Sequence, residues 1–247
     1  MLELSPHRCS SVADILTDLA QAGIALLTDV SGPTDLLSLA SALGVLAPHR
    51  DSRPDGVTVI EDRGATESGM VAFTRQGLAP HTDRSSIPVP PGLVLTACGY
   101  VPVAGGESLL ADGKAIYDEL ASTSPAALEA FCTPRSALFG SADGYLGSIF
   151  TRQGDRVSIR LRTDDLVRFG PIVNTHMSTL EAAIEKHTTT MPMPAGSGYV
   201  INNLRWLHGR NDFRGRRLLY RVTANPHPLA LVPGFRSVLA APNRASR

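Results

Sequence analysis

Cysteine is scarce in this chain, occurring only as Cys9, Cys98 and Cys132. An odd number at wide spacing gives neither a disulfide framework nor the paired clusters of a cysteine zinc site. Cys98, inside the apolar run of residues 93–101, is expected to be a small buried hydrophobe. Net charge is missing as well, because 23 basic residues balance 23 acidic ones. With no basic stripe and no aromatics interleaved in one, the composition argues against nucleic acid as a partner. Lysine is confined to Lys114 and Lys186. No apolar stretch approaches the roughly 20 residues that span a bilayer, and residues 1–8 lack the charged start and apolar core of a signal peptide. A cytoplasmic protein with no membrane partner is the expectation. A glycine-rich nucleotide loop and an internal repeat are also lacking.

What is present is a chain of 247 residues, 43% of them apolar, without a composition shift that would mark a linker. One domain spanning residues 1–247 is the simplest organisation at this length. Ser11 with Asp14 reads as the capped start of a helix, and residues 23–30 as a buried strand. Pro33 opens a second helix that Gly44 ends. These elements are expected to cover one end of a core, away from any reacting centre. Residues 57–60 and 71–73 look like short strands joined by a polar, glycine-bearing segment of the kind that forms lids. Further strands are expected at 93–101, 108–111, 156–162, 199–203 and 217–224, with helices at 114–120 and 125–131. Another helix, opened by a Ser178 and Glu181 capping box, should reach about Lys186. Short strands with helices gathered outside them favour a mainly β, antiparallel double-sheet jelly roll over an alternating βα sheet.

The chemistry concentrates in His81-Thr82-Asp83, followed about 125 residues later by His208 and then by Arg217 and Arg221. Two imidazoles and a carboxylate can occupy one face of a ferrous ion and leave the opposite positions open. The same donors also suit zinc. The i, i+2 spacing fits a strand, where His81 and Asp83 would point to one side and Thr82 to the other. Alternation in the final strand likewise places Arg217 and Arg221 on one face, with Arg216 on the opposite one. His7, His49, His176, His187 and His227 have no such context and read as solvent or structural histidines. Trp206 reads as packing. Gly105 and Gly106 should supply the positive φ of a turn.

The run HTDRSSIPVPPGLVLTACGYVPVAGGESLL, residues 81–110, resembles the metal-binding strand, following strand and Gly-Gly-acid-hydroxyl segment of the taurine dioxygenase family. That family comprises iron- and 2-oxoglutarate-dependent oxygenases and includes clavaminate synthase. The run GSGYVINNLRWLHGRNDFRGRRLLYRVT, residues 196–223, is similar to its Asn-x-x-x-x-His-Gly-Arg region and closing arginine-bearing strand. The resemblance implies a double-stranded β-helix, a cupin-like jelly roll. It implies Fe(II) on His81, Asp83 and His208, with 2-oxoglutarate and O2 as cosubstrates. By the family motif Arg217 and Ser108 match the groups that bind the far carboxylate of 2-oxoglutarate, and Arg221 matches a position that contacts an anionic prime substrate. An acid at position 83, where related halogenases carry Gly or Ala, favours oxygen insertion. Gly77 stands where taurine dioxygenase has a polar substrate contact, which argues against taurine.

The resemblance therefore implies a hydroxylase of a small anionic or zwitterionic metabolite, with an amino acid or an amino-acid-derived biosynthetic intermediate placed first. Cleavage of a sulfonate or aryloxy acid is an alternative outcome on the same site, as are desaturation and ring formation. A non-catalytic jelly-roll sensor of a small acid and a hydrolytic zinc enzyme remain as rivals from other classes. Oligomeric state is not encoded in any motif.

Overall fold

A computed structural model describes residues 6–8, 10–227 and 233–237. Cys9 and residues 1–5 therefore lie outside the described residues. Two sheets carry the fold. The larger runs in the order His7–Arg8, Ile24–Thr28, Gly198–Asn202, Leu93–Tyr100, Leu218–Pro226 and Gly44–Leu46, with Thr58–Ile60 also paired to Leu218–Pro226. The smaller runs Thr188–Met191, Ser108–Asp112, Trp206–Arg210 and Leu78–His81. Apart from the parallel pair of His7–Arg8 with Ile24–Thr28, every pairing in these two sheets is antiparallel.

Period-two alternation sorts each strand between two layers of core. In Leu93–Tyr100, Leu93, Leu95 and Ala97 face the helices Val12–Ala22 and Pro33–Leu43, joining Ile15, Leu19, Leu36, Leu39 and Leu43. Val94 and Cys98 face the other way, into an inter-sheet cluster with Tyr199, Ile201 and Leu219 and with Leu110 of the smaller sheet. In the smaller sheet, Ala111 and Leu207 turn outward to a third cluster under Gly113–Thr123, Pro125–Cys132 and Met177–His187. The order is helices, sheet, sheet, helices. Each fully buried Leu or Ile contributes about 1.5–3 kcal/mol, so three such clusters supply the main favourable force for folding. Alternation in Trp206–Arg210 then has one functional outcome: with Leu207 outward, His208 and Arg210 point between the sheets.

Several local expectations need correction. The two N-terminal helices cover the outer face of the larger sheet, not one end of the core. Ser11 precedes its helix without a side-chain cap. Met177 opens the last long helix after His176, so Ser178 lies inside the first turn and forms no capping box. The short helix Pro171–Asn174 explains this, because it delivers the chain already coiled, with His176 N–H on Val173 O. Residues 71–73 form a 3-10 turn and not a strand, and the expected strand at 156–162 ends at Ile159. Cys98 is buried, and Gly105 and Gly106 do take positive φ, 72° and 77°.

Candidate active site

His81 is the last residue of Leu78–His81 and stands directly across from His208 of Trp206–Arg210. That register brings the two imidazoles together, with ring centroids 4.5 Å apart. Gly209 makes the approach possible: a Cβ there would run into the Leu78 carbonyl oxygen and lie 2.9 Å from Pro80 N. The ladder shifts register just beyond, between His208 and Arg210. A bulge at this point re-aims the neighbouring side chains.

Asp83 is positioned by a turn and not by continued strand alternation. The strand stops at His81, and Thr82 turns away onto Leu161, its N–H donating to the Leu161 carbonyl at 2.8 Å and its Oγ1 accepting from Leu161 N–H at 3.1 Å. Asn203 fixes the next residue. Its Oδ1 accepts from Asp83 N–H at 2.7 Å, and its Nδ2 donates to Asp83 O at 3.0 Å and Pro91 O at 2.9 Å. Arg84, with φ of 53°, carries the chain out of the turn. A turn therefore stands where the His81-Thr82-Asp83 spacing predicts an extended strand.

The electrostatics of these groups are mutual. His208 is buried, and neither ring nitrogen has a hydrogen-bond partner. Burial, then His81 and Arg221, push its pKa well below 6.5. His81 is lowered by burial and by Arg221, against an opposing pull from Asp83. Its Nδ1 lies 2.9 Å from Ala79 O, which places the proton on Nδ1 and the free lone pair on Nε2. Burial would raise the Asp83 pKa, but Arg221, with His49 and His81, outweighs it and keeps the carboxylate ionised. Arg221 Nη1 donates to Asp83 Oδ2 at 3.1 Å, while its buried Nε is unpartnered. Among the described residues no group of three His, Cys, Asp or Glu side chains is arranged to hold a metal ion as it stands. The two neutral imidazoles fit a metal, since a buried ring with two bare nitrogens otherwise goes uncompensated. The carboxylate is engaged by Arg221 instead.

Behind the histidines, Ser108, Tyr199, Arg217, Leu219 and Arg221 line a narrow inner cavity of about 20 Å³, room for about one water molecule. Arg217 is buried there and Arg216 is exposed, stacked 5.0 Å from the Tyr100 ring centre; both precede the strand Leu218–Pro226, so the expected strand alternation is not what sorts them. Arg217 Nε donates to Gly106 O at 3.2 Å, and a Cβ on Gly106 would sit 3.0 Å from the Arg217 side chain. Ser108 Oγ lies 2.8 Å from Met193 Sδ. Outside, a cleft of about 710 Å³ is bordered by His81, Asp83, Arg162 and Asp164. Ile60, Ala72, Leu78 and Arg221 line both spaces, so Arg221 stands at their junction.

A sequence profile described as the taurine catabolism dioxygenase TauD, TfdA family matches residues 4–223. The chain belongs to this family. No curated protein matches it significantly. Among solved structures, asparagine oxygenase is similar at 14% identity and a TM-score of 0.71, covering 93% of this chain and 84% of that one. The non-heme iron oxygenase OrfP, solved with Fe and alpha-ketoglutaric acid, is similar at 15% identity and 0.68, covering 90% of this chain and 94% of that one. OrfP with Fe, succinate and (3S)-hydroxy-L-Arg gives 16% identity and 0.69 over 87% and 80%. At these identities the likeness is one of fold.

For a TauD-family chain the structure also adds residues that the sequence did not single out. Arg210, buried behind His208, donates to the carbonyls of Val71, Ala72, Thr74 and Gln76 at 2.5–3.2 Å. Burial, with Arg217 and Arg221 nearby, lowers its pKa to about 10. Asn203 and Arg210 could have been found only through their place in the Asn-x-x-x-x-His-Gly-Arg run, since burial of a polar side chain leaves no periodic signal. His49, read from sequence as a solvent or structural residue, borders the cleft near Asp83 and Arg221.

Proposed function

We propose that the protein is an Fe(II)- and 2-oxoglutarate-dependent dioxygenase that hydroxylates an amino acid or an amino-acid-derived intermediate. In this reading residues 1–247 form one domain, and the two facing sheets are the double-stranded β-helix that the family resemblance implies. The paired imidazoles of His81 and His208, with both His208 nitrogens bare beside a cavity walled by Ser108 and Arg217, carry the proposal.

His81, Asp83 and His208 would hold the iron, and Asn203 fixes the backbone from which Asp83 reaches it. Iron with 2-oxoglutarate and O2 supplies the oxidation that places one oxygen atom on the substrate and the other in succinate as CO2 is lost. Arg217 is a buried fork suited to the far carboxylate of 2-oxoglutarate, with the Ser108 hydroxyl beside it. Arg221, between inner cavity and cleft, is placed to exchange Asp83 for an anionic group of the substrate. The sheets and the Val71–Phe73 turn narrow the inner space to room for about one water molecule. Hydroxyasparagine and hydroxyarginine, bound in asparagine oxygenase and OrfP, support an amino acid as the substrate class.

The test is to add Fe(II) and 2-oxoglutarate anaerobically. A weak visible charge-transfer band is expected, absent in His208→Ala, and amino acids screened with O2 should gain one oxygen by mass as succinate forms. Tight zinc binding with no band would overturn the reading.

A further inference from the structure

Tyr199 is a residue for which nothing so far gives a role. It sits in the middle of Gly198–Asn202, buried to 2% exposure, with Ile201 on the same inward face and Val200 on the opposite one. It lines the inner cavity together with Ser108, Arg217 and Arg221. A phenol inside a core ordinarily finds a hydrogen-bond partner. Among the described residues no group is bonded to the Tyr199 hydroxyl. The neighbouring polar groups are satisfied only weakly in the same space: Ser108 by a thioether, and Arg217 Nε by one carbonyl. A phenol O–H, a serine O–H and a guanidinium lining one narrow space make a donor set for an anion, with Tyr199 and Ser108 on strands and Arg217 one residue before the strand Leu218–Pro226.

We infer that the Tyr199 hydroxyl is a third donor, beside Arg217 and Ser108, to the far carboxylate of 2-oxoglutarate. The inference rests on the proposed function. Tyr199 reaches the cavity from Gly198–Asn202, Arg217 from the opposite side of Leu93–Tyr100, and Ser108 from the facing sheet. The carboxylate is thus held between the two sheets, and its recognition depends on their spacing.

The experiment compares two 2-oxo acids on the Fe(II)-loaded protein by anaerobic calorimetry. One is 2-oxoglutarate; the other, 2-oxopentanoate, has the same chain length and no far carboxylate. Tyr199→Phe keeps the buried ring and deletes only the hydroxyl. It is expected to weaken 2-oxoglutarate about 10-fold to 100-fold, the range for a hydrogen bond to a charged group, and to leave 2-oxopentanoate unchanged. Equal weakening of both acids would make Tyr199 a packing residue, and unchanged 2-oxoglutarate affinity would remove it from the site; either result overturns the inference. Should Tyr199→Phe melt well below wild type, Tyr199→Met, which also fills apolar space without a hydroxyl, supplies the second measurement: loss of affinity for 2-oxoglutarate alone is expected, and equal weakening of both acids or no change for 2-oxoglutarate would overturn the inference. Wild-type protein that binds neither acid would instead defeat the proposed function.

Discussion

Gly209 shows how much one residue decides. The His81 and His208 rings meet because the backbones of Leu78–His81 and Trp206–Arg210 close over a position with no Cβ. Gly209→Ala should separate the strands and destabilise the protein by about 1–3 kcal/mol, as overpacking in a closed site does. It should also abolish the charge-transfer band, which a denaturant melt and an anaerobic titration would check together. The two arginines separate at the same scale. Losing a buried charge-assisted pair costs on the order of 2–4 kcal/mol, so Arg217→Ala should raise the 2-oxoglutarate requirement by roughly 30-fold to 1,000-fold. Arg221→Ala should leave 2-oxoglutarate binding near wild type and uncouple succinate release from product, because the anchor it loses belongs to the other ligand. Titrating 2-oxoglutarate against both variants decides this, and a larger loss in Arg221→Ala would reverse the assignment.

Elements were legible where hydrophobic period and turn residues agreed, and illegible where a tertiary contact chose the conformation. Leu93–Tyr100 and Gly198–Asn202 announce themselves by apolar runs; the 3-10 turn Val71–Phe73 does not, because its shape is imposed by Arg210 from another sheet position. The HxD spacing predicts an extended strand through Asp83, whereas Asn203 and Leu161 hold a turn there. No local pattern could reveal two residues about 80 and 120 positions away. The Arg210 anchor also carries a prediction. Arg210→Ala removes the donors to four carbonyls of residues 71–76, each bond to a charged group being worth about 1.5–3 kcal/mol. Amide exchange there should quicken while the paired strands stay protected. In the wild type the whole segment 61–80 should exchange more slowly once 2-oxoglutarate and substrate are bound, and equal rates with and without ligand would make it an ordinary loop.

At the scale of the whole molecule, packing one buried and two half-buried histidines near one carboxylate couples folding to pH. Burial is the leading cause of lowered pKa in His49, His81 and His208, so the folded protein keeps all three neutral below their ordinary 6.5. In the unfolded chain they titrate near that ordinary value. As pH falls below about 6.5 the unfolded state therefore binds protons that the folded state refuses, and each such group removes up to about 1.4 kcal/mol of stability per pH unit. Stability from this source is complete above 6.5 and declines toward the lowered folded values. Asp83 adds a second loss at more acid pH, because its carboxylate is held ionised below the ordinary 3.8 and must be protonated as its partners are lost. Metal-free protein should thus show a lower urea midpoint at pH 5.5 than at pH 7.5, and His208→Asn should flatten that dependence by removing one of the neutral imidazoles. Iron competes with protons for the same ring nitrogens, so anaerobic Fe(II) with 2-oxoglutarate should raise the midpoint most at neutral pH and lose its effect as the solution is acidified. A metal-free midpoint independent of pH between 7.5 and 5.5 would mean that the imidazoles are not held neutral in the folded protein, and the donor set assigned to iron would lose its physical basis.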